Sequence, residues 1–244
     1  MRTCIACLLI CAAFSGCANA QSPVEIADGR QPESWLDLSA WLTRPPIQQA
    51  STAARAYWLG QDPNYEEDVR ILAIADGAFT QPGSEQQAVL FVMSLWPRCC
   101  PKSGLAIVEG DRLVRNVAFE GIAQELSAAP DLDGDGHDEL FSIGSFGMGG
   151  QETRTLTYLR FGAEGLVEQG STSIFDSTCA ASEEGQSTAA RVLARPGPTF
   201  MVEQYTLATC GEETWEPVNG PEPLEFYAPS GSPYVDLPVQ AMGH

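Results

Sequence analysis

Between residues 69 and 206 the chain is a succession of short apolar runs, at 69–75, 87–96, 104–109, 112–119, 139–145, 153–161, 188–194 and 199–206. Clusters of Gly, Pro, Asp and Ser separate them. Runs this short, closed by such turn residues, predict β-strands and an all-β body. Two segments ahead of them predict helices. In 33–43, Trp35, Leu38, Trp41 and Leu42 recur on one helical face, with Ser34 and Asp37 as a cap and Pro45-Pro46 as the stop. In 47–59, Ile47, Ala54, Tyr57 and Trp58 share a side and Gly60 ends the run. Tryptophans in such places pack a helix onto a sheet or stack on sugars, and packing is the commoner use.

The fold expected is therefore mainly β with two short N-terminal helices. The chain divides into a leader at 1–20, a helical cap at 21–67 whose first residues to 31 are unstructured, a β-rich domain at 68–215, and a loose Pro/Gly-rich tail at 216–244.

The leader has the order of an export signal: a basic start at Arg2, an uncharged apolar stretch at 4–14, and small residues at 15–20. The apolar stretch is shorter than the roughly 20 residues of a membrane-spanning helix, and no later segment reaches that length without charge. Two processing sites compete. Ala18-Asn19-Ala20 would free Gln21 as the first residue. Phe14-Ser15-Gly16-Cys17 resembles a bacterial lipobox, with Phe14 in place of the usual Leu, and would leave a lipid anchor on Cys17. Either way the protein is expected to work outside the cytoplasm, in the periplasm or beyond.

The chain carries 32 acidic against 13 basic side chains, a formal net charge of −19 at pH 7. Such a charge repels nucleic acid and anionic membrane, so a nucleic-acid partner is not expected. Of the eight cysteines, Cys99, Cys100, Cys179 and Cys210 lie beyond the leader. They lack the C-x-x-C spacing of a zinc site. The two histidines, His137 and the terminal His244, offer poor prospects for a base beside a cysteine nucleophile. Outside the cytoplasm these cysteines read as disulfides. Cys179 and Cys210 are nearly symmetric about the Arg195-Pro196-Gly197-Pro198 turn, which predicts a bridge across the base of a hairpin. A vicinal Cys99–Cys100 bridge would be strained, and pairing of both with Cys179 and Cys210 is the alternative.

One stretch carries recognisable chemistry: Asp131-Leu132-Asp133-Gly134-Asp135-Gly136-His137-Asp138-Glu139. Carboxylates fall at loop positions 1, 3, 5 and 9, glycines at 4 and 6. Calcium takes six to eight oxygens at about 2.3–2.6 Å, and a tight turn throws alternate side chains to one side. Asp131, Asp133, Asp135 and Glu139 are the expected side-chain ligands, His137 contributes its backbone carbonyl, and Asp138 points to solvent. Two carboxylates about 5 Å apart repel by roughly 3 kcal/mol at an effective dielectric near 20, so their convergence calls for a cation. The EF-hand pattern does not fit, because Asp138 and Ser142 stand where it has an apolar residue and Glu, and a strand-like run follows the loop.

Residues 130–149 instead resemble the calcium loops of FG-GAP and VCBS-type repeats, in which an Asp-x-Asp-x-Asp-Gly-x-x-acid loop leads into a strand. Glu139 departs from the Asp usual at the last position. The resemblance implies a Ca2+ site at Asp131, Asp133, Asp135, His137 and Glu139, and a partial β-propeller-like or sandwich body built from degenerate repeats. Faint further units begin at Asp76-Gly77-Ala78-Phe79 and at Ser182-Glu183-Glu184-Gly185. The Gly147-Met148-Gly149-Gly150 run is a turn rather than a phosphate loop. The function expected is an exported calcium-binding module with a protein or polysaccharide partner outside the cytoplasm. The alternative is a secreted, carboxylate-dependent hydrolase of glycosidase type. No Gly-x-Ser-x-Gly or His-Glu-x-x-His pattern supports serine or zinc hydrolysis.

Overall fold

A computed structural model describes residues 22–32, 36–95, 100–182, 184–229 and 234–239. The leader, Ser34, Trp35, Trp96, Cys99 and Glu183 lie outside them. Among the described residues the chain is mainly β, with one α-helix. In order it forms β1 (Val24–Asp28), a 3-10 turn at Ser39–Thr43, α1 (Pro45–Gln61), β2 (Arg70–Gly77), β3 (Gln86–Ser94), β4 (Lys102–Glu109), β5 (Arg112–Glu120) and β6 (Glu125–Ala129). There follow β7 (Glu139–Met148), β8 (Gln151–Gly162), β9 (Gly165–Ser177), β10 (Ser187–Arg195), β11 (Thr199–Leu207), β12 (Glu216–Pro223) and β13 (Val235–Asp236). Each apolar run named above overlaps a strand among the described residues.

Three expectations are corrected. The first predicted helix shrinks, among the described residues, to the single 3-10 turn. Arg44 is extended (φ −72°, ψ 132°), as a residue before proline prefers. Pro45-Pro46 then opens α1, where the missing N–H groups cost nothing. The segment before residue 31 is not unstructured, because β1 pairs antiparallel with β10. Nor is the segment after 216 a loose tail. Its β12 extends one sheet beside β11, and β13 crosses to pair with β5 in the other.

Among the described residues the strands make two antiparallel sheets. One has five strands in the order β13-β5-β4-β3-β2, and the other has eight, running β12-β11-β10-β9-β8-β7-β6 with β1 beside β10. The five-stranded sheet is covered on both faces. Val89, Phe91 and Met93 of β3 point to α1, where Ile47, Ala50, Ala54 and Trp58 form the buried stripe. Ala88 and Leu90, one step out of phase, point the other way, to Leu140, Leu159 and Leu166 of the eight-stranded sheet. That double coverage explains why β3 reads as a continuous apolar run rather than an alternating one. Trp58 is a packing residue, with 3% of its surface exposed.

The eight-stranded sheet curls into a half-barrel. Residues from strands far apart in its order meet in one core: Ile26, Phe141, Tyr158, Ile174, Val192 and Phe200. Only a curled sheet can bring these together. The curl opens a gap where β9 leaves β10, and β1 fills it. Gly29 follows β1 there, so close to the neighbouring backbone that a Cβ would lie 1.7 Å from the Ile174 carbonyl oxygen. Arg154, buried under this segment, donates to the Gln31 carbonyl (2.6 Å) and to Glu125 (2.7 Å).

The expected disulfide is present. Cys179 and Cys210 are joined, with Cα atoms 5.5 Å apart, at the open end of the β10–β11 hairpin. No helix among the described residues is long and apolar enough to cross a membrane.

Candidate metal centre

The acidic loop connects β6 to β7, which are paired from Ala129↔Glu139 onward. The strands thus hold both ends of the loop together, and residues 130–138 must turn within that span. Gly134 and Gly136 supply the turn with φ of +80° and +89°, angles that other residues adopt at a cost. Backbone amides then converge on the first carboxylate. Asp131 accepts from Gly134 (2.7 Å) and Asp135 (3.1 Å) on Oδ1 and from Gly136 (2.9 Å) on Oδ2. These bonds fix the direction of Asp131 and leave Oδ2 a further lone pair.

Asp131, Asp133 and Glu139 come together: each offers a carboxylate oxygen, and these lie within 4.8 Å of one another. The cluster could hold a metal ion. Its donors are all oxygen, the set that suits calcium, magnesium or manganese rather than a thiolate-seeking metal. Glu139 is the buried member, 6% exposed, and both its oxygens accept from the Leu132 amide (3.2 and 3.0 Å). Burial pushes its carboxyl up to about 7; the Leu132 amide draws it down, and the charges of Asp133 and Asp131 push it up again. The same burial pushes neighbouring Tyr158 up to about 12, with the Glu139 charge adding to it.

Asp135 stands apart from that trio. Its Oδ1 accepts from the His137 amide (2.9 Å) and lies 3.1 Å from His137 Nδ1, while Oδ2 pairs with Arg160. Burial opposes ionisation of Asp135, but the His137 amide and the Arg160 guanidinium prevail and hold its carboxyl below the ordinary value. Arg160 also reaches Asp133, with Nη1 2.8 Å from Oδ2. Sequence reading did not single out Arg160. It lies on β8, and strand alternation places it on the same face as Tyr158, toward the loop.

Asp138 corrects a further expectation. It does not point to solvent. Its Oδ2 accepts from the Ala78 amide (2.8 Å) and its Oδ1 from the Asp131 amide (3.1 Å), and its own amide donates to the Ala78 carbonyl (3.0 Å). The loop is thereby stapled to the connection between β2 and β3, in the other sheet. A second tie runs to the β10–β11 turn, where the Gly197 amide donates to the Leu132 carbonyl (2.6 Å).

No family model matches the chain, and no curated protein or solved structure matches it.

Proposed function

We propose that residues 131–139 bind one calcium ion and that the protein is an exported, calcium-stabilised binding module. The observation that carries this reading is the trio of Asp131, Asp133 and Glu139, whose oxygens lie within 4.8 Å of one another. Asp135 and the His137 carbonyl complete the ligand set by position in the loop. Calcium suits this set better than magnesium, which demands near-ideal octahedral geometry and gives up its waters reluctantly. A divalent cation here would neutralise a buried carboxylate whose neighbours are themselves acidic.

The ion would serve the fold as a clasp, since the loop is tied to the five-stranded sheet through Ala78 and to the half-barrel through Gly197. Export is supported by the order of the leader, with Gln21 or a lipidated Cys17 as the first mature residue. In such a module the partner is a protein or polysaccharide outside the cytoplasm. The wider architecture of repeats, a partial propeller or sandwich, rests on the FG-GAP/VCBS-like pattern of 130–149 and the faint units near 76 and 182.

Calorimetric titration of the mature protein at millimolar calcium tests the reading, with thermal unfolding in calcium, magnesium and chelator beside it. Heat of binding and an upward melting shift are expected with calcium and little with magnesium. Absence of both in the wild type, or an equal response in Asp133→Ala, refutes the site.

A further inference from the structure

The loop already has a cation of its own. Arg160 spans the loop with its planar fork, Nη1 on Asp133 and Nη2 on Asp135. Its position is not adventitious. Arg160 follows Leu159, which is buried and paired opposite Leu140, the first residue after Glu139. The register of β7 and β8 therefore sets the guanidinium beside the acids. A fork of five donors suits two neighbouring carboxylates in a way that a point charge does not.

Arg160 also separates the acids into two groups. Asp135, a ligand by its place in the loop, is turned to Arg160 and His137 and lies outside the trio of converging oxygens. Asp133 belongs to both groups, since it is a member of the trio and a partner of Arg160. An ion held by the trio and Arg160 thus share Asp133, and Arg160 draws Asp135 away from the trio.

We propose that Arg160 is the built-in counter-cation of the loop: it holds Asp133 and Asp135 in place when calcium is scarce, and calcium binds by displacing it from Asp135. The inference rests on the calcium reading above and adds its regulation. Three consequences follow. The loop keeps its shape without metal. The protein binds calcium more weakly than its acids alone would allow. And binding frees a guanidinium at the surface, where Arg160 is 40% exposed, so the charge presented beside the loop changes with calcium.

The test compares the full mature chain with Arg160→Gln and Arg160→Lys, by calcium titration and by melting in chelator. Removing a unit charge about 6 Å from a divalent ion should tighten calcium binding by on the order of tenfold in Arg160→Gln, even in a medium as polar as water. The same variant should melt lower than wild type in chelator and gain more from calcium. Arg160→Lys keeps the charge without the fork and should fall between the two. Unchanged or weaker calcium binding in Arg160→Gln, with wild type binding normally, overturns the counter-cation role and leaves the calcium site standing. Should Arg160→Gln prove too unstable to titrate, Arg160→Lys decides alone, since equal affinity with wild type also overturns the role. No calcium binding by the wild type overturns both readings together.

Discussion

The β10–β11 hairpin is fastened at each end by a different kind of bond. At its open end Cys179 and Cys210 are covalently joined. At its turn Gly197 donates to Leu132 in the acidic loop, so that end is held by a segment whose own order depends on charge. The covalent fastener acts largely through the unfolded chain, by shortening its reach. It is indifferent to ions. The loop fastener acts in the folded state, and on the calcium reading proposed above its strength follows the cation that balances its carboxylates. On that reading the half-barrel has one end set at the time of oxidation and another that answers to its surroundings.

The largest effect should come from the covalent end. Closing a loop of 31 residues' separation stabilises by about 3–4 kcal/mol in the chain-entropy account. Cys179→Ser with Cys210→Ser should lower stability by that order in denaturant unfolding, yet leave the calcium-induced melting shift intact. Loss of that shift would mean that the two ends are coupled and do not act as separate fasteners.

Calcium at the loop end comes next. At a hundredfold excess over its dissociation constant it should raise stability by about 2.7 kcal/mol, read as a melting shift that chelator reverses. Asp133→Ala should abolish the shift and leave the Cys179–Cys210 bridge formed, as peptide mapping without reduction would show.

Asp138→Ala isolates the staple from the ion. It strips the Ala78 and Asp131 amides of their acceptor, at a cost of about 1–3 kcal/mol. Hydrogen exchange should speed at those two amides while those of β10 and β11 stay protected. Uniform acceleration throughout the molecule would show that the loop is not a local clasp.

The smallest effect belongs to the turn. Gly197 has a φ of +93°, and a Cβ added there would meet no atom within 4 Å, so Gly197→Ala meets backbone strain alone, about 1 kcal/mol. It should lower the melting temperature by a few degrees and weaken the tie to Leu132, with the disulfide unaffected. A neutral result would place the turn's importance elsewhere than in its backbone.

The strands that sequence reading found and those it missed differ in one physical respect. β3, β7 and β10 carry most of their burial in apolar side chains. β9 buries Glu168, Gly170, Thr172 and Ile174 on alternate positions, so its inward face is mostly small or polar and its period is hidden. β12 is exposed along its length and is held by backbone pairing with β11, which leaves no apolar signature. β1 shows Ile26 and Ala27 in a short run, and its role follows from a gap that exists only once the larger sheet has curled. The expected helix over 33–43 rests on side-chain spacing, a Ser34 and Asp37 cap and the Pro45-Pro46 stop, while the backbone preference of Arg44 before Pro45 rules the end of that segment.

The sequence by itself determined the alternation of strand and turn and the second helix, favoured the Cys179–Cys210 pair, and showed an acidic loop in which Asp131, Asp133, Asp135 and Glu139 were expected to converge. These depend on contacts a few residues apart, or on the symmetry of a single hairpin. Only the tertiary structure decided that Asp138 is a staple to Ala78, that Asp135 faces Arg160, and that β13 returns to β5. Each of those partners is brought in by strand register or sheet curvature, and neither can be read from local spacing, because a one-residue change of register would turn Arg160 away from the loop.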